Sequence, residues 1–171
     1  NVGARYGYYA IGLARLMPGV RAHAFEGDAE ARGMLNDAVT ANGVTDRVQV
    51  GGFAGPVELG AALGSGEGVL LVCDIDGGEV PLLDPLQLPT LARATILVEC
   101  HGAQETATEP VMVLRFLPTH EVTRVATEQR LLAQLPSGVG EPWRSRMPRT
   151  LEALMQEHRT TPQSWLLLTP R

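Results

Sequence analysis

Apolar runs of about five residues alternate along this chain with helical patterns of ten or more, and that alternation restricts the fold more than any other feature. The run Val69-Leu70-Leu71-Val72-Cys73 is apolar at every position, as expected of a central parallel strand covered on both faces, and Asp74 ends it. An α/β architecture follows.

The other elements fall around that run. A helix is expected from Tyr6 to Met17, stopped by Pro18-Gly19, and a strand from Val20 to Glu26. Asp28 caps a second helix that reaches Ala41 and closes at Asn42-Gly43. A short strand spans Val48 to Gly52, and Pro56 sits near the first turn of a helix ending around Leu63. Past Cys73, a proline-broken helical stretch from Val80 to Ala92 leads into a strand from Thr95 to Glu99. Pro110 to Phe116 reads as a helix, and His120 to Thr127 alternates β-branched residues as a half-exposed strand does. The prolines and glycines between Leu135 and Pro148 predict an exposed loop or flap. A helix near Leu151 to His158 and a strand from Ser164 to Thr169 close the chain.

At 171 residues the chain suits one domain around one core. It contains no lysine, because all 14 basic residues are arginine. That removes a Walker-type phosphate loop and Schiff-base catalysis, which need an amine on a flexible stem. A net charge of -5 without a basic stripe argues against nucleic acid as the main partner. No apolar run approaches the roughly 18 residues of a membrane span and no signal peptide is evident, so the reading includes no membrane partner and takes the cytoplasm as the default compartment. Two cysteines, Cys73 and Cys100, are too few for a disulfide scaffold.

In a parallel α/β sheet ligands bind beyond the carboxyl ends of the strands, so chemistry is sought there. Gly3 and Gly7 let the backbone turn tightly into the first helix and let a ligand approach its positive N-terminus. Glu26 ends the next strand about 20 residues later, where a carboxylate can hold both hydroxyls of a ribose. The G-x-x-x-G spacing departs from the G-x-G-x-x-G of dinucleotide sites, with Arg5 and Tyr6 filling the turn. A nucleoside-bearing cofactor other than NAD fits best.

The wider turn resembles motif I of class I S-adenosylmethionine-dependent methyltransferases. Within that class, NVGARYGYYA, HAFEGDAEARGMLNDAVTANGV, VCDIDGGEVPLL and ILVECHG are similar, in order and spacing, to the FkbM-type family. The resemblance implies a Rossmann-like three-layer sandwich with a mostly parallel sheet and an antiparallel last strand. It also implies S-adenosyl-L-methionine as cofactor, with residues 1–102 binding it and residues 103–171 forming the substrate side. On this likeness Gly3, Ala4, Arg5, Tyr6 and Gly7 cradle the methionine part, Glu26 holds the ribose with Gly27 and Asp28 beside it, and Phe53 and Ala54 flank the adenine. Asp74 faces the methionine amine or the reacting methyl. Asp76-Gly77-Gly78-Glu79 matches the family's acidic, glycine, acidic pattern, with Asp76 where glutamate is usual and Gly78 where alanine is usual. Asn1 departs further, standing where an acidic residue is usual. The expected activity is methylation of a small-molecule hydroxyl, on a sugar or secondary metabolite, by a protein for which a homodimer is admissible.

A base assists when the acceptor is a hydroxyl, and His101 is the candidate because it follows the fifth strand beside Glu99, which can orient its ring. The alternative for His101 is a satisfied structural histidine; His23, His120 and His158 are expected at the surface. Cys73, Asp74, Cys100 and His101 end adjacent strands, but their spacing lacks the close pairs of zinc sites, so no metal is assigned. A Cys–His nucleophile pair lacks an oxyanion hole. Trp143, Arg144, Arg146 and Arg149 either bind an anionic or sugar-bearing acceptor or form a solvated connector around one buried tryptophan. Two further readings stay open: a non-catalytic relative of the fold, and an enzyme using NAD or a nucleotide sugar.

NVGARYGYYA enters motif I at its last strand residue, leaving no sequence for the first, central strand. The pattern therefore predicts at least about six more residues upstream, forming that strand, with a helix before them.

Overall fold

The computed structural model describes residues 1–101, 108–126, 131–135, 137–155 and 163–171. The expectations at Gly102, Thr127, Pro136 and His158 lie outside them.

Two groups of strands form the sheet. β1 (Ala22–Phe25) pairs in parallel with β2 (Val48–Gly51). The second group has the order β3-β4-β6-β5: β3 (Leu70–Cys73) runs parallel to β4 (Thr95–Cys100), and β6 (Ser164–Pro170) lies antiparallel between β4 and β5 (His120–Ala126). Val2 joins the groups through parallel bridges to Phe25 and Cys73. Its N–H donates to the Val72 carbonyl at 2.8 Å and its carbonyl accepts from Asp74 at 3.1 Å. Asn1 to Gly3 thus occupy the central position assigned to the end of the first strand.

Helices cover both faces. α1 (Tyr8–Leu16) and α2 (Ala29–Ala41) pack Ala10, Ile11, Ala14, Leu35 and Val39 against Ala24 and Val48. The neighbouring Phe25 belongs instead to the opposite cluster, where α3 (Pro56–Leu63), α4 (Glu79–Leu82) and α5 (Thr108–Phe116) meet the strands. Because successive strand residues point to opposite faces, this split places a helical layer on each side of the sheet. Ile96 and Val98 of β4 lie opposite Leu168 and Leu166 of β6, and all four are fully buried with Met112 and Phe116.

Several elements differ from the sequence reading for local reasons. The Val20–Glu26 strand shortens to β1, and α1 begins at Tyr8 because Gly7, at φ 86°, is its N-cap. The helical stretch after β3 becomes the single turn of α4 and a 3-10 turn at Pro89–Arg93, since the prolines at 81, 85 and 89 deny it continuous N–H donors. Arg115 of α5 holds that broken region, donating to the carbonyls of Val80 and Leu83 at 2.5 and 2.8 Å. The expected flap contains a helix, α6 (Glu141–Arg146), with Pro142 in its first turn, and α7 (Pro148–Met155) starts three residues before the expected Leu151. His120 is fully buried rather than at the surface. Its Nε2 lies 3.0 Å from the Ala94 carbonyl and its Nδ1 2.8 Å from the Thr119 hydroxyl, so both ring nitrogens are satisfied inside the core. His23 is exposed as expected.

Candidate active site

The turn entering α1 is built on left-handed backbone. Gly3 has φ 74°, and a Cβ on it would lie 1.7 Å from the Asp74 carbonyl oxygen; at Gly7 one would lie 2.6 Å from both Ile11 and Leu35. Only glycine lets this turn pack against the end of β3. Three of its five amides donate to backbone carbonyls: Gly3 and Ala4 to Phe25 at 3.1 and 2.9 Å, and Gly7 to Ala4 at 2.7 Å. Arg5, also left-handed at φ 46°, donates its N–H to Oε2 of Glu26 at 2.7 Å.

Glu26 is therefore fixed from two sides, since Oε1 accepts from the Asp28 N–H at 2.8 Å. Asp28 in turn caps α2 by accepting from Ala31 at 2.7 Å. Arg32, one turn into α2, donates to the carbonyls of Glu26 and Gly27 at 2.9 and 3.2 Å. The sequence reading missed Arg32, although its place four residues after an N-cap is a signal that it can reach back to the preceding turn.

A cavity of about 1160 Å³ opens beyond these strand ends. Gly3, Arg5, Tyr6, Glu26, Gly27 and Asp28 line one side, Phe53 and Ala54 another, and Asp74 and Glu99 a third. Phe53 is 80% exposed while Ala54 is buried. Ala4 is buried in the turn, and Gly7 packs against Ile11 and Leu35. Six acidic residues line the cavity, Glu26, Asp28, Glu30, Asp74, Asp76 and Glu99, and Arg5 is the one basic residue among the described residues that line it. The side chain of Asn1, a neutral amide, adds nothing to this charge; it donates to the Val72 carbonyl at 3.3 Å.

His101, just past β4, lies among four carboxylates. Its Nδ1 is 3.1 Å from Oε1 of Glu79, and its Nε2 is 3.2 Å from Glu99, 3.5 Å from Asp76 and 3.6 Å from Asp74. Nε2 is buried and has no hydrogen-bond partner among the described residues. Asp74 and Glu99 line the cavity, whereas His101, within 3.6 Å of both, is not among its lining residues. The sequence reading gave Glu99 the orienting role; the structure puts Glu99 beside Nε2 and Glu79 against Nδ1.

Comparison with known proteins adds the fold. No protein-family model matches the chain, and no similar sequence is found among curated proteins. Solved structures do match. The O-methyltransferase TomG from Streptomyces achromogenes, in complex with SAM, aligns with a TM-score of 0.60 at 15% identity, covering 98% of this chain and 71% of that one. An O-methyltransferase from Bacillus cereus in complex with SAH gives 0.60 at 14% identity, covering 99% and 72%. The methyltransferase domain of METTL16 gives 0.58 at 14% identity, covering 98% and 71%. The fold is that of the class I methyltransferases.

Within this methyltransferase fold, Asp74, Asp76 and His101 bring one potential ligand atom each within 4.8 Å of one another, a donor set that could hold a divalent cation although the sequence assigned none. Both cysteines are buried, and burial above all pushes their thiols up, Cys100 to about 12 and Cys73 further, so neither is a nucleophile at neutral pH. Trp143 is 61% exposed, which removes the reading of a connector around a buried tryptophan. Arg144 is already committed to the carbonyls of Val139 and Leu135 at 2.8 and 3.0 Å. No helix among the described residues is long and apolar enough to cross a membrane.

Proposed function

We propose that this chain binds S-adenosylmethionine and transfers its methyl group to a hydroxyl of a small molecule, a sugar or secondary metabolite, in the manner of the FkbM-type enzymes its first hundred residues resemble. The observation that carries the reading is the state of the Gly3–Gly7 turn. A pyrophosphate requires free amides at such a turn, but those of Gly3, Ala4, Arg5 and Gly7 are spent within the protein, and six carboxylates would repel it. The same carboxylates suit a ligand bearing a sulfonium and an ammonium.

The residues fit that cofactor. Glu26 is held by two backbone N–H groups yet keeps a second lone pair on each oxygen for the ribose hydroxyls. Phe53 and Ala54 offer an apolar surface to adenine. When bound, S-adenosylmethionine supplies a methyl carbon activated on a positively charged sulfur. The protein's main task is then to align the acceptor and receive a proton. Asp74 and Glu99 accept the hydrogen bond of the incoming hydroxyl at the cavity wall and pass its proton to Nε2 of His101, 3.6 and 3.2 Å behind them. With the cofactor held by the Gly3–Gly7 turn, Glu26, Phe53 and Ala54, its sulfonium would supply the methyl to the acceptor oxygen that Asp74 and Glu99 align.

Calorimetric titration with S-adenosylmethionine, its demethylated product and NAD tests the binding reading. Heat is expected with the two sulfur nucleosides and not with NAD; the reverse pattern would sink the proposal. Glu26→Ala should abolish that heat, since one carboxylate both receives the turn and faces the ribose. His101→Ala should retain it while slowing methyl transfer by about 100-fold, the usual worth of a proton acceptor, in an assay of labelled methyl transfer to a panel of sugars and polyhydroxylated metabolites. Turnover abolished by EDTA and restored by Mg²⁺ would transfer the role of His101 to a metal.

A further inference from the structure

We infer that Trp165, braced by Tyr9, is the shelf on which the methyl acceptor rests and that this acceptor is an uncharged sugar ring, an inference that rests on the proposed methyl transfer. Trp165 is the second residue of β6, and its register sets it directly opposite Glu99 of β4 on one side and Val125 of β5 on the other. Residues opposed in this way share a face of the sheet, so Trp165 stands one strand spacing, about 5 Å, from a carboxylate that lines the cavity. Ser164, Leu166 and Leu168 alternate with it and are buried on the other face. Tyr9, in the first turn of α1 and three residues after the cavity-lining Tyr6, brings its ring to 5.9 Å from the Trp165 ring at an angle of 62°.

These rings are not part of the core. Among the described residues, neither belongs to the two apolar clusters that hold the helices on the sheet, and both are half-buried. Their neighbours are more open still: Tyr8, edge-on to Tyr9 at 5.2 Å, is 84% exposed, and Val125 is 50% exposed. An indole kept partly in solvent gives up apolar burial that a core would have gained, as a surface held open for a ligand does. The chemistry beside it selects the ligand. A sugar ring has an apolar face of C–H bonds and a rim of hydroxyls; indole covers the first, and carboxylates accept from the second. The 62° between the rings makes a corner, not the parallel slot that would grip a flat aromatic acceptor from both sides. Six acidic residues and, among the described residues, one basic residue line the adjoining cavity, so a phosphate or carboxylate on the acceptor is repelled. A ring lying on Trp165 presents its rim across one strand spacing to Glu99, and Asp74 lines the same cavity.

The chain has two tryptophans, so Trp143→Phe leaves Trp165 as the one reporter of its own surroundings. With the demethylated cofactor product bound, methyl glycosides of glucose, galactose and rhamnose are titrated beside glucose 6-phosphate and glucuronate. A saturable change in Trp165 emission is expected with at least one neutral glycoside and with neither anion. In the otherwise unaltered protein, Trp165→Ala should raise KM for the responding sugar by at least about 10-fold, as loss of an aromatic anchor does, with kcat changed by less than about threefold. Trp165→Phe should recover most of that loss, because a ring is restored. The calorimetric dissociation constant of the demethylated cofactor product should move by less than about threefold in both variants, whereas a merely structural tryptophan would shift cofactor affinity and kcat together. Silence of Trp165 toward every glycoside, a response to the anions instead, an unchanged KM in Trp165→Ala, or faster methyl transfer to catechol than to any glycoside would overturn the inference. If Trp165→Ala fails to fold, the fluorescence titration decides alone. Absence of cofactor binding by the wild-type chain would instead count against the proposed function, and the glycoside titration of the cofactor-free protein would then decide the shelf by itself.

Discussion

A methyl group on Gly3 would sit 1.7 Å from the backbone oxygen of Asp74, in a residue whose φ is 74°. Neither atom belongs to a flexible side chain, so the backbone must move. Gly3→Ala is expected to lower stability by more than about 2 kcal/mol, combining left-handed strain with the displaced contact, as read from urea denaturation. Arg5 tolerates left-handed backbone two residues on because its N–H gains the Glu26 carboxylate. The glycines, Glu26 and Asp28 were legible because their signals are local: a turn, a strand end, a helix cap. Glu79 and Arg32 act through partners whose geometry no local pattern contains. Glu79 meets His101 across 22 residues, and His120 looked like a surface histidine until the 26-residue contact with Ala94 placed it in the core.

At the scale of elements, α2 shows how a cap and a site share a residue. The Asp28 side chain closes the first turn of α2 while its backbone N–H holds Glu26. Asp28→Ala removes only the side-chain cap, so a loss of about 1 kcal/mol in urea denaturation is expected, with the backbone bond to Glu26 retained. A loss several times larger would mean that the carboxylate does more than cap. The elements after β4 were read less well. Proline was taken as loop between Leu135 and Pro148, but Pro142 and Pro148 lie at helix starts, where their missing N–H has no intrahelical partner to lose. The same residue type ended the helix at α4 and began the helix at α6, and sequence alone weighs these two uses poorly.

For the whole molecule, two buried thiols on β3 and β4 give a pH dependence with a definite sign. Burial keeps Cys73 and Cys100 protonated in the folded state, Cys100 up to about 12, whereas unfolded thiols ionise near 8.5. Above that pH the unfolded chain binds fewer protons than the folded one, so stability is full below about 8.5 and declines as pH rises toward 12. The urea midpoint should fall between pH 7.5 and 10, and fall less in Cys100→Ala; an equal fall would assign the loss to other groups. Sequence by itself determined the α/β class, the parallel run into β3 and the strand ends at which the cavity opens, because strand and helix periodicities and turn residues act within a few positions. Only the tertiary structure decided that the antiparallel last strand, β6, inserts between β4 and β5, that Val2 bridges β1 and β3, and that four carboxylates surround one imidazole. Those outcomes depend on which distant segments pack together and on which buried charges find partners, and neither is written in any short window of the chain.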